Sequence, residues 1–180
     1  MITYSGVLVL PGNDGCPTLQ DIAVGLGRMP RWAGATKRTY TVLQHSLACE
    51  EYVRLGKHKP LTRLYTILHD AHEAVTGDVP TSWKTGELRR WQDRLDKRIW
   101  ASLSLPEPGP AEQLVIESCD RAILWAEAQL LGNPAHAEYY FTMPRDDLAE
   151  RCTRTMQNAT SKISLIRAFL VRVDELRRAI

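Results

Sequence analysis

Apolar residues recur every three or four positions along most of the chain, a spacing that predicts helices. "TLQDIAVGLGRMPRW" opens on Thr18, a good N-cap, and closes at a Gly and Pro cluster. In "TYTVLQHSLACEEYVRL" the stripe Val42, Ser46, Cys49 and Val53 predicts a helix of about four turns. "PLTRLYTILHDAHEAV" starts with Pro60 in its first turn and repeats Leu61, Leu64, Leu68 and His72, so one helix is expected to run through Glu73. Thr85 to Leu103 is highly charged and reads as an exposed amphipathic helix. Residues 111–131 and 158–179 predict two more, the last presenting Ile163, Ile166, Phe169, Leu170 and Val173 to the core or to a neighbour. Only residues 3–12, ending in the turn-rich "PGNDG", read as a short strand or hairpin arm. "LPEPGP" at 105–110 is the clearest break, and residues 132–157 are the least readable stretch. The expectation is an all-α, single compact domain spanning residues 1–180.

Composition narrows the classes. A chain of 180 residues with 44% hydrophobic and 24% charged residues fits one ordinary globular core. A net charge of +2 is too small to suggest a nucleic-acid polymer or an anionic membrane as partner. No apolar run approaches the roughly 20 residues that span a bilayer. The N-terminus lacks the basic start of a signal peptide, and the four cysteines (Cys16, Cys49, Cys119, Cys152) are dispersed. A cytoplasmic protein with reduced thiols is expected.

Polar groups on apolar faces stand out against this background. His45 lies between Val42, Leu43 and Cys49. His69 and Asp70 end the apolar run "LYTIL". Asp120 sits among Ile116, Cys119, Ile123 and Leu124, and its carboxylate is expected to point to the core. A buried carboxylate is costly unless it is paired or binds a metal. Taken alone, each residue has an ordinary structural role: a satisfied core histidine, a chance His-Asp pair, a partner for an arginine. Together they form a mixed N/O set suited to one divalent transition metal, Mn2+, Fe2+, Co2+, Ni2+ or Zn2+.

The order His45, His69–Asp70, Asp120 resembles the H…HD…D metal site of HD-domain phosphohydrolases. "RMPRWAG", "QHSLACE" and "HDAHEAVTGDVPTSWK" are similar to the branch that holds bacterial 5′-deoxynucleotidases and phage dATP triphosphohydrolases. The resemblance covers roughly residues 18–130. It implies a helical HD domain, a homo-oligomer, and a bacterial or phage-encoded protein of nucleotide metabolism. Glu73 matches the catalytic glutamate, and as i+4 from His69 it would share a helix face with that ligand. Asp78 matches a residue near the sugar and the attacking water; alone, it reads as a turn carboxylate capping its own backbone. Lys84 matches a phosphate-binding lysine, where a lone lysine would be solvated. Trp32 is placed to stack on a base and Arg31 to meet phosphate, with Lys37 and Arg38 nearby. Glu117 and Gly34 depart from what a strict adenine-selective triphosphate site would favour. His72 is left with two roles, second-metal ligand or hydrogen-bond partner, and His58 and His136 with none.

The activity so implied is metal-dependent hydrolysis of a deoxynucleotide, with Mg2+ on the substrate phosphates. The local basic residues Lys37, Arg38 and Lys84 lean toward dATP, cleaved to deoxynucleoside and tripolyphosphate. The alternatives are a 5′-deoxynucleotidase acting on monophosphates and a non-catalytic nucleotide sensor, the latter disfavoured by the intact Glu73.

Overall fold

The computed structural model describes residues 1–132, 145–159 and 161–180. His136 lies outside the described residues. Eight α-helices carry the architecture of the described residues: α1 Leu19–Arg28, α2 Val42–Leu55, α3 Pro60–Leu68, α4 Glu73–Thr76, α5 Gly86–Ser102, α6 Pro110–Leu130, α7 Asp147–Asn158 and α8 Lys162–Arg178.

Local chemistry sets the helix starts. At α1, the Thr18 hydroxyl accepts from Asp21 N while the Asp21 carboxylate reaches back to Thr18 N, a capping box. Thr41 and Gln44 repeat the device at α2. Pro60 and Pro110 occupy first-turn positions of α3 and α6, where a missing N–H costs nothing.

α2 is the central helix, packed against α3, α6, α7 and α8. One cluster joins Leu43, Leu47, Leu64, Ile67, Leu68, Phe169 and Val173, and a second joins Cys49, Val53, Cys119, Ile123, Trp125 and Cys152. Each fully buried Leu, Ile or Phe among them contributes about 1.5–3 kcal/mol. Glu50, also fully buried on α2, is bound by Arg63 of α3 and Arg172 of α8, so an ion-pair network pins three helices together. No described helix is long and apolar enough to cross a membrane.

The structure corrects or completes several readings of the sequence. The N-terminal hairpin reduces to a single bridge, Ile2 with Leu8, closed by Thr3 N donating to Val7 O. The predicted helix through Glu73 stops at Leu68: Ala71, Glu73 and Ala74 donate to carbonyls three residues back, so residues 69–72 form tight turns before α4. His69 and Glu73 are therefore not on one continuous α-helical face. Within the unreadable stretch, α7 is a regular helix capped by Asp146 and buried through Ala149, Cys152 and Thr153. On α8, Leu165, Phe169, Val173 and Leu176 face inward while Ile163 is exposed.

Candidate metal centre

Four donors from three parts of the fold converge. His45 comes from the first turn of α2, His69 and Asp70 from the turn that ends α3, and Asp120 from α6. His45 Nε2 lies 3.3 Å from His69 Nε2, 3.2 Å from Asp120 Oδ1 and 3.6 Å from Asp70 Oδ2. His69 Nε2 is 3.3 Å from Asp70 Oδ2 and 3.8 Å from Asp120 Oδ1. Donors about 2.1 Å from one ion at tetrahedral angles stand about 3.4 Å apart, so this set has the spacing of a coordination shell.

Hydrogen bonding selects the ligand atoms. His45 Nδ1–H donates to Glu127 Oε1 at 2.7 Å, and His69 Nδ1–H donates to the Thr66 carbonyl at 2.8 Å. Both Nε2 lone pairs then point at each other and at two carboxylates, an arrangement that demands positive charge between them. The electrostatics agree. Burial works against charging His69, yet Asp70 and then Asp120 raise its pKa well above the usual histidine range. Burial likewise opposes ionisation of Asp70 and Asp120, but the two imidazoles hold both carboxyls far below theirs. The residues present fit a divalent cation. Cys49 Sγ stands 3.5 Å from His45 Nε2, a soft neighbour on the inner side.

Asp120 differs from expectation in one respect: its side chain is 41% exposed, so it closes the site at the solvent side instead of pointing into the core. Glu73 is buried at the start of α4, with Oε1 3.8 Å from Lys84 Nζ and Oε2 without a partner among the described residues. Burial, then Asp70 and Asp78, push its pKa up to about 9. One carboxylate oxygen each of Asp70 and Glu73 and one ring nitrogen of His72 lie within 4.8 Å of one another. His72 Nδ1 is engaged with Asp96 of α5 at 3.0 Å, while its buried Nε2 has no partner among the described residues.

Arg31 and Trp32 stand in a short 3₁₀ turn, Arg31–Gly34, not in an open loop. Arg31 is buried, its Nη1 3.6 Å from Asp78 Oδ1 and 3.9 Å from Asp70 Oδ2, its Nε and Nη2 donating to Glu127 Oε2. Trp32 is half-buried, and its Nε1–H donates to the same oxygen at 3.3 Å. Trp32 and Ala33 have φ of 58° and 51°, left-handed conformations that cost on the order of 1–3 kcal/mol each and persist only when held. Lys37 and Arg38 are exposed, as are Glu117 and His58. Gly34 has φ of +80° with open space where a side chain would stand.

Glu127 was not anticipated. Its signal was present: a lone carboxylate in "ILWAEAQL", seven residues after Asp120 and so on the same face of α6. It is fully buried.

A helical bundle that brings H…HD…D donors together has the architecture of HD-domain proteins. Comparison with solved structures bears out the fold: the chain is similar to an HD phosphohydrolase, DatZ of cyanophage S-2L, determined with dA and one catalytic Zn2+ ion. The TM-score is 0.55 at 17% identity, over 92% of this chain and 99% of that one. No family model matches the chain. Two curated relatives do. An uncharacterized protein of Rhodobacter capsulatus is 33% identical over 131 residues, which cover 67% of this chain and 65% of the relative. The uncharacterized protein YfdR of Escherichia coli K12 is 29% identical over 117 residues, 63% of this chain and 61% of YfdR. The chain thus spans less than two thirds of either relative's length.

Proposed function

We propose that the chain is a metal-dependent phosphohydrolase that cleaves the bond between the α-phosphorus and the 5′-oxygen of a deoxynucleotide. The convergence of His45, His69, Asp70 and Asp120, with both Nε2 lone pairs turned inward, is the observation that carries this reading. A bound divalent ion would polarise a phosphoryl oxygen and ease deprotonation of water. Glu73, buried beside Asp70, takes a proton from the water as it adds to phosphorus and passes it to the leaving 5′-oxygen as the P–O bond breaks. Lys84, beside Glu73, offsets phosphate charge, and Arg31, beside Asp78 and Asp70, does so from the other edge. Asp78 orients the sugar or the attacking water, and Trp32 stacks on the base.

The substrate we propose is dATP, giving deoxyadenosine and tripolyphosphate, supported by the dA bound in the structurally similar DatZ and by the motif resemblance. A monophosphate reading has its own support: Arg31 is already shared among Glu127, Asp78 and Asp70, and Lys37 and Arg38 are exposed, so among the described residues few cations are free for three phosphates.

The test is a product assay with each dNTP and dNMP in Zn2+, Mn2+ or Co2+, resolved by anion exchange. Deoxynucleoside and tripolyphosphate from dATP support the first reading, and free phosphate from monophosphates alone supports the second. Asp70→Ala should abolish most turnover, because it removes a donor and the nearer of the two carboxylates that face His69. Nucleotide binding without turnover in any metal would make the chain a sensor.

A further inference from the structure

The mechanism above leaves Glu127 without a task, although both of its oxygens are used. Oε1 accepts from His45 Nδ1, and Oε2 accepts from Arg31 and from Trp32. One fully buried carboxylate therefore joins a donor of the metal centre to the turn that holds the substrate arm. We infer that Glu127 is a positioning residue that couples metal binding to the placement of Arg31 and Trp32, an inference that rests on the metal reading of the site.

The physical route is short. When His45 Nε2 binds a cation, the ring is fixed against the other donors and its Nδ1–H is held on one line to Oε1. The carboxylate is rigid and planar, so drawing Oε1 toward His45 also sets the position of Oε2. Trp32 and Ala33 sit at positive φ, so the turn at Oε2 is held against strain, by Ala35 N donating to Trp32 O, by Arg31 N donating to Tyr40 O and by the contacts with Glu127. Its shape depends on contacts such as those that Arg31 and Trp32 make with Glu127. Arg31 in turn faces Asp70 and Asp78, so the same link runs back to the donor cavity. Coupling of this kind is reciprocal: deoxynucleoside on the Trp32 arm must tighten the metal by the factor by which metal tightens the deoxynucleoside.

The experiment titrates Zn2+ into chelator-treated full-length protein, reading Zn2+ affinity by competition with a chromophoric chelator and following tryptophan emission. A Trp32→Phe variant isolates the Trp32 component from the other indoles. The expected result is a Zn2+-dependent emission change carried by Trp32, and a Zn2+ affinity 10–100-fold lower in Glu127→Gln, with the Trp32 response lost. Deoxyadenosine should bind more tightly to the Zn2+-loaded wild type than to the free one, and Glu127→Gln should abolish that difference. A Glu127→Gln protein that keeps both the affinity, within about twofold, and the Trp32 response overturns the inference while leaving the metal reading intact. Should that variant not fold, the comparison of wild type with Trp32→Phe decides: a Trp32 silent to bound Zn2+ overturns the coupling. A wild type that binds no Zn2+ at all overturns both this inference and the proposed function.

Discussion

Glu73 should make the metal-free protein less stable than it need be, and Glu73→Gln should reveal by how much. The carboxyl is buried, one oxygen has no partner among the described residues, and its pKa is raised from 4.5 to about 9. Below pH 4.5 it is protonated in both the folded and unfolded chain and costs nothing. As pH rises above 4.5 the unfolded chain releases the proton while the folded chain keeps it, so stability falls with pH until the folded group also ionises near 9. At pH 7 the gap is about 2.5 pH units at about 1.4 kcal/mol each, or roughly 3 kcal/mol. Glutamine is neutral and nearly isosteric, so it escapes this penalty at every pH. Thermal unfolding in EDTA should show the variant melting about 6–12 °C above wild type at pH 7, and only about 2–3 °C above it at pH 5. Turnover in the same variant should be nearly lost. A pH-independent difference, or a variant less stable than wild type at pH 7, would refute the assignment of Glu73 as a buried, protonated acid.

Asp21 should behave in the opposite sense. Burial opposes its charge, but hydrogen bonds from Ser5 and Thr18 outweigh that and bring its pKa down to about 2. Its stabilisation is present above pH 3.8 and is lost as pH falls through about 2. Asp21→Asn should therefore cost about 2 kcal/mol in urea at pH 7 and much less at pH 2. Gly25→Ala addresses the packing of α1 on α4: the added Cβ would stand 2.8 Å from Ala74 Cβ and 3.1 Å from its backbone. Overpacking of about 1–3 kcal/mol should exceed the gain of up to ~1 kcal/mol in helix propensity. Chemical denaturation should show the net loss, and turnover should fall because the displaced backbone carries Glu73.

The legible parts of this fold were those with local causes. Thr18, Pro60 and Thr85 announced helix starts, and the Val42–Val53 stripe is buried as its spacing requires. The donors His45, His69, Asp70 and Asp120 were legible as polar residues in apolar surroundings, and the structure brings them together. What escaped had non-local causes. "DAHE" contains no Gly or Pro, so nothing local marks the change to i→i+3 bonding at residues 69–72; α4 instead lies where α1 offers Gly25 to it. Asp120 was expected to point inward because its neighbours in sequence are apolar, but a helix flank that faces a cavity mouth has the same neighbours. Glu127 was passed over because one carboxylate in an apolar helix has no partner in its own segment. Its partners are 82 and 96 residues away.

The cost assigned to Glu73 and the demand for a cation at His45, His69, Asp70 and Asp120 are not independent. Two carboxylates, Asp70 and Asp78, raise the pKa of Glu73, and a divalent ion held at Asp70 places positive charge against the same group. Zn2+ should therefore stabilise wild type in two ways: by mass action, about 2.7 kcal/mol at one hundred times the dissociation constant, and by easing the ionisation of Glu73. Glu73→Gln has only the first gain available. The melting temperature of wild type should rise more on Zn2+ addition than that of the variant, and the excess should grow from pH 5 to pH 8 as the proton on Glu73 becomes costlier. Equal gains in both proteins, each at the same multiple of its own dissociation constant, would mean that the ion and Glu73 do not sense each other. The glutamate would then be too far from the metal centre to serve the reaction proposed for it.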